Sequence, residues 1–438
     1  MRYSYRRGFL WLTVFLLLSL LPLGLALIGP TPEARSFWME FGVALGFLAL
    51  AIFGLQSLFS GRFHWIAPTY GMDNIMHFHR KMGLVAFLFV LGHPITLILT
   101  DPGFLSYFDP RVNLMRAIAL SFVTVAIIGI TVTSIWRVAF KLNYEKWRLL
   151  HGFLALAIVF VGVVHSIQVG HYLDPLWKKI ALAVIMGASM YLVLHTRFVR
   201  PWQNKKRPYK IVDVKPERDE CYSVTLASEK GRRLTFTPGQ FAWITINSSP
   251  FTLQQHPFSF ASSASDTTVS FTAKSMGDFT GTWKDLKAET TAFLEGPFGS
   301  FTPEPDSHLF FVMGGIGITP CMSMLRTMRD RKDTRKATLL YANKNWEGVT
   351  FREELEEISR EINLKIVHVI EDLPEDEELD GEEGRIDQDM IEKYLPPEPN
   401  TYMYFICGPG PLMDVAEVAF HNLGINWRRI YSERFEIV

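Results

Sequence analysis

Long apolar runs dominate residues 1–200, whereas the rest of the chain mixes short apolar segments with charged ones. Six of these runs are close to the ~20 residues that a helix needs to cross a bilayer. They are residues 8–29, 38–59, 75–99, 115–137, 147–168 and 176–197. The first run follows a basic start, as a signal peptide also does, but it is long, lacks a clear small-residue cleavage site and precedes further spans. The pattern therefore predicts a bundle of six transmembrane helices.

Basic residues predict the direction of the spans, because Lys and Arg are enriched in cytoplasmic loops. The loops on one side carry Arg2, Arg6, Arg7, Arg62, Arg80, Lys81, Arg137, Lys141, Lys146, Arg148, Arg197, Arg200, Lys205, Lys206 and Arg207. The opposite loops carry Arg35 and Arg111, with Arg116, Lys178 and Lys179 near helix ends. We therefore expect both termini in the cytoplasm, and we assign the protein to a bacterial inner (plasma) membrane.

Four histidines occur at matched positions in the third and fifth spans. His79 and His93 are fourteen residues apart, and so are His151 and His165. That offset puts two side chains on nearly the same helix face, roughly 21 Å apart along the axis. The two spans are parallel in this topology, so His79 meets His151 (the first pair) and His93 meets His165 (the second pair). Two imidazoles can ligate one haem iron, so we predict two stacked b-type haems held by these four metal ligands.

Short strands broken by Gly, Pro and Ser occupy residues 208–300, a pattern typical of a small antiparallel β-barrel. Three notable segments lie within it: His256-Pro257-Phe258-Ser259-Phe260-Ala261-Ser262, Lys274-Ser275-Met276-Gly277-Asp278-Phe279-Thr280 and Glu295-Gly296-Pro297-Phe298-Gly299.

Strands and helices alternate in residues 308–438, which predicts an α/β domain with a parallel sheet. The apolar run Leu309–Met313 leads into Gly314-Gly315-Ile316-Gly317-Ile318-Thr319-Pro320, and a later strand ends at Cys407-Gly408-Pro409. Glycines let the backbone approach a pyrophosphate, and the following helix N-terminus favours the anion. We therefore predict a nucleotide site at the carboxyl ends of these strands.

Composition adds two constraints. The net charge is zero, so we expect no nucleic-acid partner. The three cysteines are scattered singly, with no disulfide framework and no CxxC metal motif. The expected fold is thus a multidomain membrane protein, with a six-helix bundle (1–200), an antiparallel β-barrel (205–303) and an α/β parallel-sheet nucleotide domain (306–438).

These motifs in this order resemble the ferredoxin–NADP reductase superfamily. Joined to a six-span bundle with two histidine pairs, they resemble the NADPH oxidase and ferric reductase family, over nearly all residues from about 8 to 438. The resemblance implies that His256, Pro257, Phe258 and Ser259 contact the isoalloxazine and ribityl parts of FAD. It further assigns Lys274 and the turn Gly277, Asp278, Phe279 and Thr280 to FAD, the turn holding its pyrophosphate.

For the nicotinamide nucleotide, the resemblance implies a site formed by Gly314, Gly315, Gly317, Thr319 and Pro320. Cys407, Gly408 and Pro409 would then face the hydride-transfer site. Phe435 matches a near-terminal aromatic that covers the flavin in the family, although Glu436-Ile437-Val438 follow it here. The basic residue that family members often place after the second strand of this domain matches Lys344, so we expect a modest preference for NADPH over NADH.

Together these features predict transmembrane electron transfer from cytosolic NAD(P)H through FAD and two haems to an external small molecule, either oxygen, giving superoxide, or ferric iron. Some oxidases have a further histidine one turn beyond the outer ligand of the third span, where this chain has Leu97. That difference argues against an oxygen-reducing site of their kind. The alternatives are a membrane-anchored NAD(P)H flavin reductase and a haem-binding electron-transfer subunit that serves a partner protein. The sequence identifies no protein partner.

Overall fold

The computed structural model of the 438-residue chain describes residues 2–29, 31–63, 72–231, 234–372 and 381–434. The chain forms two compact units, Met1–Arg200 and Pro201–Val438. The boundary that we predict between residues 303 and 306 lies within the second unit, between its two sheets, and stays a prediction.

Among its described residues, the first unit contains six helices that are long and apolar enough to cross a membrane. They are α1 (Arg2–Leu27), α2 (Phe37–Ser60), α3 (Met72–Thr100), α4 (Leu114–Ile135), α5 (Tyr144–Val169) and α6 (Leu176–Leu194). A 3₁₀ segment (Pro102–Phe108) precedes α4, and a π-helical turn (His195–Val199) joins α6 to the short α7 (Arg200–Lys205). The predicted six-helix bundle is therefore confirmed.

Polar caps determine where several of these helices begin. Ser36, Asn113 and Asn143 each accept a hydrogen bond from the backbone N–H three residues later, at the first turns of α2, α4 and α5. Such caps satisfy amide groups that have no partner within the helix. Gly170, with φ 71°, ends α5. The polar breaks between apolar runs therefore divide the bundle into separate helices.

The second unit begins with an antiparallel sheet in the order β4-β3-β6-β1-β2-β5. Its strands are β1 (Tyr209–Pro216), β2 (Cys221–Ser228), β3 (Phe241–Ile246), β4 (His256–Ser259), β5 (Val269–Lys274) and β6 (Thr291–Phe298). A further bridge joins Phe260, just after β4, to Phe271 in β5. Because β4 and β5 are the two edge strands, this bridge curls the sheet toward a barrel around a core that includes Ile211, Phe260 and Trp283.

The second sheet is entirely parallel, in the order β10-β9-β8-β7-β11-β12. Its strands are β7 (His308–Gly314), β8 (Ala337–Asn343), β9 (Leu364–Ile370), β10 (Gly381–Glu383), β11 (Tyr402–Cys407) and β12 (Ile430–Ser432). Helices α8 (Thr319–Asp330), α9 (Arg352–Glu361), α10 (Gln388–Tyr394) and α11 (Gly410–Asn422) accompany it. Alternate strand residues face opposite sides, so Phe311 packs in a core with α8 and α9 while Phe310 packs in one with α10 and α11.

Arg326 on α8 links the two sheets of this unit. Its guanidinium donates two hydrogen bonds to Glu354 on α9, at 2.7 and 2.6 Å, and one to the backbone carbonyl of Ala261, at 2.7 Å. The neighbouring Ser323 hydroxyl donates to the Ser262 carbonyl at 2.8 Å. Burial acts to raise the pKa of Glu354, but the hydrogen bonds from Arg326 outweigh it and leave that pKa lowered. The end of the His256–Ser262 segment, just after β4, is therefore fixed to the first helix of the α/β region.

Candidate functional site

The structure brings the four membrane histidines together as two pairs. The ring centroids of His79 and His151 are 6.3 Å apart, with 55° between the ring planes. Those of His93 and His165 are also 6.3 Å apart, with planes at 73°. Because the lower-numbered histidine of α3 meets the lower-numbered one of α5, the two helices run parallel. Fourteen residues of helix separate the pairs by roughly 21 Å.

The spacing within each pair fits one metal ion between two imidazoles. A metal–nitrogen bond is about 2.0–2.1 Å and the ring centroid lies about 1.1 Å beyond the nitrogen, so opposed imidazoles have centroids about 6.3 Å apart. Within the described ranges, no cluster of three or more His, Cys, Asp or Glu side chains is suited to hold a metal. Two ligands alone leave a bare ion under-coordinated, so the pairs fit a prosthetic group such as haem, which brings four in-plane nitrogens of its own.

Contacts from neighbouring helices hold several of these rings. The Nδ1 of His93 lies 2.8 Å from the backbone carbonyl oxygen of Gly42 on α2. The backbone of Gln56, also on α2, lies beside His79, whose Nδ1 has no hydrogen-bond partner among the described residues. The Nδ1 of His151 lies 3.5 Å from the Ser134 hydroxyl on α4. Ligating histidines usually hold their second ring nitrogen in this way. The sequence reading missed Gly42 and Gln56, although they too are fourteen residues apart.

A cavity of about 210 Å³ borders the second pair. His93 and His165 line it together with apolar side chains and a few polar ones, which include Arg35, Tyr107, His171 and Tyr172. The guanidinium of Arg116 stacks 4.0 Å from the Tyr107 ring centroid. This space gives the second pair room for a group larger than a single ion.

Glu40, near the start of α2, is a polar residue of this region that the sequence reading missed. Its carboxylate accepts hydrogen bonds from the Tyr172 hydroxyl at 2.5 Å and from the Arg35 side chain at 3.1 Å. Arg35 and Tyr172 both line the cavity. The sequence gives little indication of these contacts, because Glu40 is a single acidic residue in an apolar run and both of its partners come from loops. Glu40 thus holds two of the polar side chains that line the cavity.

The layer midway between the two pairs is apolar. Ala86 on α3 and Ile158 on α5 occupy the midpoints, and both are buried. Phe53 and Phe87 pack against the cluster that contains Ile158, whereas Phe160 is largely exposed. An aromatic side chain between the pairs is thus supplied by α2 or α3, since the α5 midpoint has none.

The His256 motif and the Gly277 turn meet in one aromatic cluster of the antiparallel sheet. The His256 imidazole stacks on Phe279 at 4.2 Å between centroids, and Phe258 lies 6.0 Å from Phe279 and 4.9 Å from Trp283. Ser259 is buried, and its hydroxyl has no hydrogen-bond partner among the described residues. A buried unpaired hydroxyl is costly, so this cluster suits a ligand that would hydrogen-bond Ser259 and stack on the aromatic rings.

The remaining residues assigned to FAD differ in their surroundings. The Thr280 hydroxyl accepts the Met276 N–H at 3.1 Å and so shapes the turn. Gly277 and Asp278 are exposed, and a Cβ at Gly277 would meet nothing within 4 Å. Lys274 pairs with Asp219 at 2.5 Å. The turn is therefore open to a ligand, while Lys274 already has an acidic partner.

The glycine-rich turn after β7 lies against the end of β11. A Cβ on Gly317 would lie 2.6 Å from the Cys407 carbonyl oxygen, and one on Gly314 would lie 2.9 Å from the Pro409 side chain. Glycine is therefore required for this close approach. In the sheet, β8 lies on one side of β7 and β11 lies on the other, so the strand order reverses at β7. Open α/β sheets bind ligands at such a switch point. The predicted motifs thus lie together at the expected edge.

Other side chains of the turn make internal contacts. The Thr319 hydroxyl donates to the Ile316 carbonyl at 2.7 Å, and Thr319 and Pro320 are buried in the first turn of α8. Tyr341, from β8, donates its hydroxyl to the Gly315 carbonyl at 3.1 Å. Burial raises the pKa of Tyr341, so this hydroxyl keeps its proton. Cys407 is 1% exposed, and the sequence reading did not identify Tyr341.

Lys344 lies at the end of the second strand of this sheet, as predicted, with its side chain 78% exposed. Its ammonium is 3.9 Å from the Asp372 carboxylate, which is also exposed. An acidic residue favours a free ribose 2′-hydroxyl, whereas a basic one accommodates a 2′-phosphate. A basic and an acidic side chain are therefore both present at this position. Phe435 lies outside the described residues.

Comparisons with known proteins match three family models in series along the chain. A model described as ferric reductase like transmembrane component matches residues 45–162. An FAD-binding domain matches residues 204–302, and an oxidoreductase NAD-binding domain matches residues 311–417. These matches define a flavin- and nicotinamide-binding oxidoreductase architecture attached to a multi-pass membrane bundle. The chain has the domain architecture of the NADPH oxidase and ferric reductase family, which confirms the resemblance of the motifs.

Individual relatives match part of the chain. The ferredoxin reductase component of a 3-ketosteroid-9-alpha-monooxygenase from Rhodococcus rhodochrous is 31% identical over 210 residues, covering 46% of this chain and 57% of that protein. An NADH-cytochrome b5 reductase 1 from Aspergillus terreus is 31% identical over 157 residues, covering 34% and 52%. The chain thus spans about half the length of these curated relatives. A crystal structure of the Amycolatopsis cytochrome P450 reductase GcoB has 22% identity and a TM-score of 0.46, covering 52% of this chain and 69% of that one.

Proposed function

We propose that the chain carries electrons across a membrane, from NAD(P)H and FAD on the cytoplasmic side through two b-type haems to an acceptor on the other side. The observation that carries this proposal is the pair of 6.3 Å histidine contacts on parallel membrane helices. Two metal-sized gaps stacked roughly 21 Å apart bridge most of a hydrocarbon core of about 30 Å. The termini would then lie in the cytoplasm of a bacterial cell, as the basic loops favour.

Each cofactor would be held by residues of this chain. His79 with His151, and His93 with His165, would be the axial ligands of the two haems. Ser259, Phe258 and the Gly277–Thr280 turn would hold FAD, and the Gly314–Pro320 turn would hold the nicotinamide nucleotide. A nicotinamide donates hydride, whereas a flavin accepts hydride and passes electrons singly to one-electron carriers such as haem. Cys407 and Phe435 would border the hydride-transfer site, and Lys344 would give a modest preference for NADPH.

The proposed acceptor is a small molecule that takes one electron, either oxygen, which becomes superoxide, or ferric iron, which becomes ferrous. Neither product requires a proton from the protein. The position one turn beyond His93 is Leu97, which is buried and lines the cavity beside the second pair. An apolar residue there offers no hydrogen bond to reduced oxygen. A haem on the second pair would supply one electron at a time, and both oxygen and ferric iron accept electrons in that way.

The test is a haem count followed by stopped-flow reduction of purified full-length protein. We expect two low-spin bis-histidine haems per chain, and reduction by NADPH or NADH that reverses on addition of oxygen or a ferric chelate. His165→Ala should remove one haem and leave FAD bound. One haem per wild-type chain would contradict the two-haem proposal. Nucleotide oxidation without haem would favour the flavin reductase, and haem without nucleotide oxidation would favour the electron-transfer subunit.

A further inference from the structure

The imidazole of His93 is oriented by a backbone group of a different helix. Its Nδ1 lies 2.8 Å from the Gly42 carbonyl oxygen. A carbonyl only accepts hydrogen bonds, so Nδ1 carries the proton and donates it. Nε2 is then the unprotonated nitrogen, with its lone pair available for a metal. The contact with α2 thereby selects which nitrogen of His93 acts as the ligand.

This contact depends on a second glycine, one turn further along α2. A Cβ at Gly46 would lie 2.9 Å from the His93 Nδ1 and 3.1 Å from its Cε1. Both distances are shorter than ordinary van der Waals contact, and the ring that would have to move is itself held by the Gly42 carbonyl. Two small residues four apart let helices approach closely in membranes. Here Gly42 and Gly46 leave enough room for the His93 imidazole to reach the backbone of α2.

The same helix serves the other histidine of α3. The backbone of Gln56 lies beside His79, although the His79 Nδ1 has no hydrogen-bond partner among the described residues. Gln56 follows Gly42 by fourteen residues while His79 precedes His93 by fourteen. Because α2 and α3 are antiparallel, these equal offsets bring the two contacts into register. On the α5 side, the corresponding partner of His151 is the Ser134 hydroxyl at 3.5 Å, a much longer contact.

We propose that α2 tunes the second histidine pair: the Gly42 carbonyl fixes the tautomer of His93 and strengthens it as a ligand, and Gly46 preserves that hydrogen bond. The proposal rests on the proposed function, because it takes His93 to be an iron ligand. A ligating imidazole that donates to a carbonyl is more basic. A more basic axial ligand favours the ferric state and lowers the reduction potential. Gly42 and Gly46 are thus positioning residues that act through His93.

The test is a spectroelectrochemical titration of full-length Gly46→Ala in lipid nanodiscs. We expect the transition of one haem to shift to higher potential and that haem to be retained about 10-fold less tightly, as when other second-sphere partners are lost. His93→Ala, which lacks the second pair, identifies which transition is affected. Gly92→Ala is the matched control, because a Cβ at this neighbour of His93 would meet only the flexible Leu45 side chain, at 3.2 Å. It should leave both transitions unchanged.

Two results would overturn the proposal. One is a Gly46→Ala protein with two haems and wild-type potentials. The other is available without any substitution, should that variant not fold: pulsed EPR of the wild type with ¹⁵N-labelled histidine. If the second haem then shows no remote nitrogen with a hydrogen-bonded proton, the Gly42 contact does not act on the ligand. A wild-type protein without haem would refute the proposed function itself, a distinct result.

Discussion

At the residue scale, some polar side chains of the membrane unit have their hydrogen-bond partners in distant parts of the chain. Lys178, in the first turn of α6, is fully buried. Its ammonium donates to the carbonyls of Ala26 at 2.8 Å and Tyr172 at 3.2 Å. Ala26 lies in the last turn of α1, whose carbonyls lack helical partners. One lysine thus joins a helix end to the loop that carries the Glu40 partner Tyr172.

Replacing Lys178 with Met should destabilise the bundle. The substitution keeps the length of the side chain but leaves the buried Ala26 carbonyl and the half-buried Tyr172 carbonyl without this donor, at a cost of about 1–3 kcal/mol. We expect a lower Tm for detergent-solubilised full-length protein. Lys179→Met is the matched control, because the only ion pair of Lys179 within the described part of the chain is a 4.0 Å contact with the exposed Asp174. Equal Tm values for the two variants would contradict a structural role for Lys178.

The proposed preference for NADPH over NADH would also depend on single residues. Lys344 would meet a 2′-phosphate, and Asp372 lies 3.9 Å from it. A charge-assisted hydrogen bond contributes about 1.5–3 kcal/mol, but the nearby carboxylate opposes a phosphate. We expect a modest NADPH preference in kcat/KM, lost in Lys344→Ala and increased in Asp372→Asn. Equal values for both nucleotides in the wild type and in both variants would show that the phosphate is not recognised here.

At the element scale, sequence periodicity predicts the regular helices and strands well. It misses edge strands and helix contacts, which depend on the neighbouring elements. The run 115–137 became α4 (Leu114–Ile135), and the apolar run Leu309–Met313 lies within β7 (His308–Gly314). Strand β4 was not predicted, because His256-Pro257 does not read as an apolar strand; it is a short edge strand, where proline is tolerated. The contact of α2 with His93 was also missed, since it is made by the Gly42 backbone carbonyl, which no residue letter encodes.

The glycine-rich turn after β7 should depend on Tyr341 in the adjacent strand. Tyr341→Phe removes the hydrogen bond to the Gly315 carbonyl without changing the ring that fills the core. Loss of a buried hydrogen bond costs about 1–3 kcal/mol, so we expect an approximately tenfold rise in KM for the nicotinamide nucleotide with bound FAD unchanged.

Tyr404→Phe is the matched control for that substitution. Tyr404 is as deeply buried, but its hydroxyl donates to Pro399, before the start of β11 and away from the glycine-rich turn. Its KM should equal that of the wild type. An equal rise in both variants would show that Tyr341 acts through general stability and does not position the turn.

At the scale of the whole molecule, the two compact units carry different candidate site residues. The four histidines lie in the unit Met1–Arg200, and the His256, Gly277, Gly317 and Cys407 segments lie in the unit Pro201–Val438. Each unit has its own buried clusters. One-electron carriers would thus be confined to the membrane bundle and hydride chemistry to the sheets, so the two activities should be separable by experiment.

The segment 205–438, produced alone, should therefore bind FAD and oxidise a reduced nicotinamide with an artificial acceptor. It holds both sheets and the Arg326 contacts that join them, and its cores are filled by its own side chains. Flavin fluorescence and ferricyanide reduction would measure this. Gly317→Ala is the informative variant: a methyl 2.6 Å from the Cys407 carbonyl should separate the two motifs and slow hydride transfer. Flavin content should not change, because the Ser259 cluster lies in the other sheet. If the folded segment holds no flavin, or if Gly317→Ala reacts at the wild-type rate, the assignment of these motifs is wrong.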